Sequence, residues 1–166
     1  MKIAIIADTH DNVKNTEKVV EILNNKIKPD LVIHLGDFCS PFIIDILGRI
    51  KAEVEAVFGN NDGDIENLMT KAGTYKNFYF QPTFGYGEIR VEGRKIFFNH
   101  FPDLAKDKAK SGEFDLVLYA HTHKKGVEKV GKTLLVNPGE IGGIFHPPSF
   151  AVYSPKENKV KFIDLN

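Results

Sequence analysis

An α/β fold made of two packed sheets is what this sequence predicts, and three observations predict it. Short apolar runs of strand length alternate with helical patterns through the first half of the chain. The second half exchanges those helical crossovers for hairpins. The 166 residues, 42% of them hydrophobic, suit one domain spanning 1–166, with no linker, repeat or low-complexity tract to divide it.

Each element follows from local chemistry. KIAIIA reads as a buried strand ending at Ala7, and Asn12 to Ile27 sets Val13, Val19, Val20, Ile22, Leu23 and Ile27 at helical spacings before Pro29-Asp30 ends the pattern. DLVIHLG is the second strand. Ser40-Pro41 supplies an N-cap and a first-turn proline for a helix over Phe42 to Ile50. Val54 to Phe58 is the third strand, and a shorter helix covers Ile65 to Ala72. This β-α-β-α-β order predicts parallel strands joined by right-handed crossovers.

Gly87–Val91 and Lys95–Asn99 then flank Glu92-Gly93-Arg94 as a hairpin. Pro102-Asp103 opens a helix toward Lys110, and Phe114 to Ala120 is another buried run. Val127–Val130 and Thr133–Val136 form a second hairpin, and Phe150–Tyr153 and Val160–Leu165 are the closing strands. Gly126-x-x-x-x-Gly131-Lys132-Thr133 has the letters of a P-loop, but that mechanism needs a helix after the motif to receive phosphate. Strand-like residues stand there instead, so the hairpin is the reading.

Charge and composition exclude several function classes. Lys plus Arg and Asp plus Glu are each 22, for a formal net charge of +0, which gives no footprint for nucleic acid or an anionic membrane. No stretch is long and apolar enough to span a bilayer, and the N-terminal residues lack a signal-peptide layout. Cys39 is the only cysteine, so no internal disulfide forms and a reducing cytoplasm is the expected location.

Five apolar runs break off at residues that bind divalent metals: Asp8-Thr9-His10, Asp37, Asn60-Asn61-Asp62, His100, and His121-Thr122-His123. Ligands at the carboxyl ends of several buried strands gather along one edge of a sheet, where open α/β folds bind their ligands. Donors drawn from Asp, Asn and His, without thiolate, suit Mn, Fe, Ni, Co or Zn better than a structural cysteine-type zinc site. Seven donors (Asp8, His10, Asp37, Asn60, His100, His121 and His123) exceed the needs of one tetrahedral ion, so two divalent ions are expected, with Mn or Ni favoured. Four positive charges against the two carboxylates of Asp8 and Asp37 would leave the site attractive to an anion.

Asp8-x-His10, Gly36-Asp37, Gly59-Asn60-Asn61-Asp62, His100 and His121-x-His123 resemble the five signature blocks of the calcineurin-like metallophosphoesterases, and most closely their small archaeal and bacterial phosphodiesterase branch. The resemblance covers nearly the whole chain in the right order. It implies a four-layer α/β/β/α sandwich of two mixed β-sheets flanked by helices, with a dinuclear site between the sheets. It assigns Asp8, His10, Asp37 and His123 to one ion, and Asp37, Asn60, His100 and His121 to the other, with Asp37 bridging. It also implies hydrolysis of a small phosphodiester by a hydroxide held between the ions. A phosphomonoesterase is the nearest alternative. A non-catalytic scaffold is another, because a protein-sorting coat subunit shares this fold.

Asn61 stands where many relatives carry histidine, and an amide donates a hydrogen bond but cannot deliver a proton near neutral pH. A preference for acidic leaving groups, such as aryl esters, is the consequence. His34 reads as structural and Cys39 as a small buried hydrophobe. Asp62 reads as orienting its neighbours. Asn137-Pro138-Gly139 resembles a loop that borders the active site in relatives, without the basic residue some of them carry there, and His146 reads as either a substrate contact or an exposed side chain.

Overall fold

The computed structural model describes residues 1–165; Asn166, the last residue of the expected domain, lies outside the described residues. In chain order the first half comprises β1 (Ile3–Ile6), α1 (Val13–Ile22), β2 (Leu31–His34), α2 (Phe42–Leu47), β3 (Glu53–Ala56), α3 (Ile65–Ala72) and β4 (Phe78–Phe80). The second half comprises β5 (Tyr86–Val91), β6 (Arg94–Asn99), α4 (Pro102–Ser111), β7 (Leu116–Leu118), β8 (Gly126–Val130), β9 (Thr133–Asn137), β10 (Ser149–Ser154) and β11 (Lys159–Asp164).

Two mixed sheets result, of six strands in the order β11-β10-β1-β2-β3-β4 and five strands in the order β5-β6-β7-β9-β8. β1 to β4 are mutually parallel, as are β6, β7 and β9, whereas the hairpins β5–β6, β8–β9 and β10–β11 are antiparallel. Side chains alternate across a strand, and β1 shows the result. Ile3 and Ile5 join Ile33, Ile96, Phe98, Leu116, Leu118 and Tyr153 in the core between the sheets. Ala4 and Ile6 turn the other way, toward Val19, Ile43, Ile44 and Leu68 of α1, α2 and α3. The outer face of the five-stranded sheet packs Phe97, Val117 and Leu135 on Ala105 and Ala109 of α4. The order of layers is therefore helices, sheet, sheet, helix.

Several local expectations need correction. The helix expected to continue to Ile27 leaves α geometry at Leu23 and finishes as a π turn, closed by Lys28 at φ +49°. In that wider turn Asn24 donates to Arg49 O and accepts from Lys51 N, each at 2.8 Å, which ties the helix end to the segment before β3. α2 stops at Leu47 rather than Ile50, and Ser40 does not cap it. The Ser40 hydroxyl instead donates to Asp11 Oδ2 at 2.7 Å. β4 was not anticipated because three residues carry no measurable period; its Phe78 and Phe80 rings pack around Phe38. Gly126 to Thr133 is the β8–β9 hairpin, as expected. Among the described residues, no helix is long and apolar enough to cross a membrane.

Candidate metal centre

The two sets of parallel strands end on the same side of the molecule, and the loops that follow carry the donors. Asp8 follows β1, Asp37 follows β2, and Asn60 and Asn61 follow β3. His100 follows β6, His121 and His123 follow β7, and Glu140 follows β9. Backbone bonds lace these loops together: Asp8 N donates to Gly36 O at 3.0 Å, His10 N to Asp37 O at 3.1 Å, and Ala120 N to His100 O at 2.9 Å. Asp8, His10, Asp11, Asp37, Cys39, His121 and His123 all hold positive φ, between 43° and 72°. Left-handed backbone costs a non-glycine residue free energy, and it persists where surrounding structure over-determines it. Gly59 is needed for a different reason. A Cβ there would lie 2.2 Å from Asp37 Oδ1 and 2.8 Å from His100 Cε1.

All seven expected donors meet in one cluster. Asp8, His10, Asp37 and His123 offer ligand atoms that all lie within 4.8 Å of one another. His10 Nε2 is 3.8 Å from Asp8 Oδ1 and 3.4 Å from Asp37 Oδ2, and His123 Nε2 is 3.8 Å from Asp8 Oδ1. Asp37 Oδ2 also faces His100 Nε2 at 3.6 Å. Asn60 Oδ1 lies 3.0 Å from His100 Nε2 and 2.7 Å from His121 Nδ1, which completes a second group around the same carboxylate. The first group is largely buried, whereas Asn60, Asn61 and His121 are exposed, so the site opens on the second group's side.

The cluster fits a divalent cation on two independent observations. Both carboxylate oxygens of Asp8 are buried without a well-formed hydrogen bond, the His121 backbone N–H only partly offsetting their burial, a costly arrangement unless a cation occupies the space they face. Burial, reinforced by the charges of Asp37 and Glu140, pushes the Asp8 carboxyl well above its usual range. His100 supplies the second observation. Burial lowers its pKa, so the ring is neutral, and Nδ1–H donates to Leu35 O at 2.8 Å. Its Nε2 lone pair then points at the oxygens of Asn60 and Asp37, three acceptors with no proton among them. His10, whose pKa is likewise lowered by burial, presents Nε2 in the same way.

A surrounding ring of side chains orients the donors. Asp62 accepts from Asp37 N, Phe38 N, Cys39 N and Gly59 N at 2.7–2.9 Å, which fixes the turn presenting Asp37. Asn61 donates to both oxygens of Asp37, from N and from Nδ2, each at 2.8 Å. Glu140 was missed by sequence reasoning, although it adjoins the noted Asn137-Pro138-Gly139. It is fully buried, lies 3.0 Å from His123 Nδ1, and accepts from the N–H groups of Ile144, Phe145 and His146. Burial raises its pKa, but those three N–H donors and His123 leave it lowered overall.

Two further expectations change. Cys39 is a half-buried neighbour of the site rather than a core residue, with Sγ 3.4 Å from His10 Nδ1; burial, then Asp11 and Asp37, push its thiol up to about 12. Glu140 and Asp62 join Asp8 and Asp37 as buried carboxylates, so two divalent ions would be balanced in charge rather than in excess. His34 is structural: fully buried, stacked on Phe38 at 3.8 Å, and accepting from Gly36 N. The His146 side chain is exposed.

Residues 1–158 match the calcineurin-like phosphoesterase superfamily domain. Phosphodiesterase MJ0936 of Methanocaldococcus jannaschii is 35% identical over 147 residues, 86% of this chain and 86% of its own length. Phosphodiesterase YfcE of Escherichia coli K12 is 23% identical over 155 residues, 85% of this chain and 79% of its own. A solved structure of an archaeal phosphodiesterase superposes with a TM-score of 0.91 at 31% identity, covering 99% of this chain and 100% of that one. Vacuolar protein sorting 29 from Cryptosporidium parvum shares the fold, with a TM-score of 0.66 at 21% identity over 98% of this chain and 95% of that one. With this site at the ends of its strands, the chain belongs to the calcineurin-like phosphoesterase superfamily and is a phosphoric ester hydrolase that uses divalent metal.

Proposed function

We propose that this chain hydrolyses small phosphodiesters at a centre of two divalent ions, Mn or Ni foremost, with Co, Fe and Zn as alternatives. Asp8, His10, Asp37 and His123 would hold one ion, and Asp37, Asn60, His100 and His121 the other. The observation that carries this reading is the pair of buried Asp8 oxygens, without a well-formed hydrogen bond and set among imidazoles. When bound there, a pair of ions would lower the pKa of a water and neutralise charge on the transferring phosphoryl group.

The chain's own residues do the rest. Leu35 O holds His100, and Glu140 holds His123, so that each presents Nε2 to the centre. Asn61 uses one amide N–H on Asp37 and keeps the other available, exposed at the mouth of the site. It stabilises a departing oxygen by hydrogen bonding and does not protonate it, which favours leaving groups that are already acidic. The unpaired Cys39 is in keeping with a reducing compartment, and we place the chain in the cytoplasm.

The test titrates Mn, Ni, Co, Zn and Mg into stripped protein and assays an aryl phosphodiester against the matching phosphomonoester. Hydrolysis of the diester, with loss of at least about 10³-fold in metal-replete Asp37→Ala, is expected, since one carboxylate serves both ions. Wild-type rates in that variant contradict the assignment. A protein inert with every metal points to a scaffold, and faster monoester cleavage points to a phosphomonoesterase.

A further inference from the structure

Phe145 is the most exposed large apolar side chain among the described residues, at 71%, and it stands beside the metal centre. Its ring meets His123 edge to face, with centroids 4.9 Å apart and planes at 78°. A solvent-exposed phenylalanine on a loose loop would need no explanation. This loop is not loose.

Three separate sets of bonds hold the segment from Ile141 to His146. Ile141 N and Gly142 N donate to Ala7 O and Asp8 O at 3.0 and 2.8 Å, which ties the loop to the end of β1. Asn12 Nδ2 and Asn15 Nδ2 donate to Gly142 O and Ile141 O at 2.7 and 2.9 Å from the start of α1. Glu140 then collects Ile144 N, Phe145 N and His146 N, at 2.7, 2.7 and 2.6 Å. Gly142 runs so close to the donor loop that a Cβ would lie 3.0 Å from Asp8 O and 3.3 Å from His10 Cβ. These bonds fix the backbone that carries Phe145, the edge contact with His123 sets the ring beside the ligand cluster, and the carboxylate that gathers the loop also lies against His123.

An exposed ring on a tied backbone, with its one described ring contact at a candidate metal donor, offers a surface to a flat partner. Stacking or edge contact between aromatic groups contributes beyond simple burial, and a ring already in place gives up little entropy on binding. Resting on the phosphodiesterase reading above, we infer that Phe145 is a specificity residue: it packs against an aromatic ester group, an aryl ring or a nucleobase, of a substrate whose phosphorus sits at the metal centre. Glu140 is the positioning residue that holds this ring and His123 in one frame.

The experiment compares phosphonic acids, dianions whose P–C bond leaves no ester to hydrolyse: methylphosphonate and phenylphosphonate, with 5′-deoxythymidine 5′-phosphonate as a nucleobase arm. Inhibition constants are measured on metal-loaded wild type, Phe145→Ala and Phe145→Tyr. Wild type is expected to hold phenylphosphonate about 10-fold more tightly than methylphosphonate, the size of one aromatic contact. Phe145→Ala should bring the two within about 2-fold while leaving methylphosphonate unchanged, and Phe145→Tyr should keep the preference. Tighter binding of the thymidine ligand than of phenylphosphonate assigns the ring to a nucleobase, and the reverse assigns it to an aryl group.

A second readout needs no catalysis. The chain contains no tryptophan, so Phe145→Trp places a single indole at the proposed contact, excited at wavelengths its tyrosines do not absorb, and Tyr79→Trp, on the edge strand β4, serves as control. Saturable emission change with phenylphosphonate, absent with methylphosphonate and absent in the control, is expected. Equal wild-type affinity for both phosphonates, equal loss of both in Phe145→Ala, or an unresponsive Phe145→Trp overturns the inference. An inactive wild type whose Phe145→Trp variant still responds overturns the phosphodiesterase reading alone.

Discussion

Asp62→Asn tests how the site is built, because it keeps the side chain's shape and changes one atom. In the wild type, Oδ2 accepts from Asp37 N and Gly59 N, and Oδ1 accepts from Phe38 N and Cys39 N. An amide can satisfy only one of these pairs. Whichever way it turns, its NH2 faces one buried and one part-buried N–H donor that then have no acceptor. An unsatisfied buried group costs about 1–3 kcal/mol and a part-buried one less, so the pair should cost about 1–4 kcal/mol. That is a large share of a total stability on the order of 5–15 kcal/mol. Urea unfolding of stripped protein, monitored at equilibrium, measures the loss directly. The same four bonds set the turn holding Asp37 at φ +60°, so chelator competition should also show metal affinity lowered about 10–100-fold. A variant within about 1 kcal/mol of wild type, with unchanged metal affinity, refutes the cradle argument.

Three further outcomes are expected. Asn61→His should raise turnover of alkyl phosphodiesters by about 10²-fold and aryl esters far less, since an imidazole can protonate a basic leaving oxygen; equal wild-type turnover on both, unchanged by the substitution, removes the idea. Glu140→Gln should weaken metal binding about 10–100-fold through His123, read by chelator competition, and wild-type affinity would show that the His123 contact is incidental. His34 gives a pH dependence. Burial holds its pKa well below the unfolded value of about 6.5, so the unfolded chain binds the extra proton and stability falls as pH drops below about 6.5, by at most about 1.4 kcal/mol per pH unit. His34→Asn keeps an acceptor for Gly36 N but does not titrate, so the stability gap between wild type and variant should narrow between pH 7 and pH 5. Parallel curves for stripped wild type and variant would contradict this.

The order of strands and helices, and the polar residues that end five apolar runs, were legible in the sequence because each is a local property. A strand such as Ile3–Ile6 is marked by its own side chains, and Asp8 follows it whatever the rest of the chain does. Local signals also identified the Gly126–Thr133 segment as a hairpin despite its P-loop letters. They could not reveal β4, too short to show a period, or the π turn after α1, whose Asn24 is tied to residues 25 and 27 positions away. Glu140 was invisible as a site residue for a related reason. Its meaning comes from His123, on a different strand end, and from a loop pinned by Asn12 across 130 positions of sequence. Which donors share a group, how many carboxylates the centre contains, and where Phe145 points all depend on two sheets stacking with their strand ends aligned. Sequence alone supplied the inventory of candidate donors; the packing of the sheets decided their distances and the charges they share, because those terms act through space rather than along the chain.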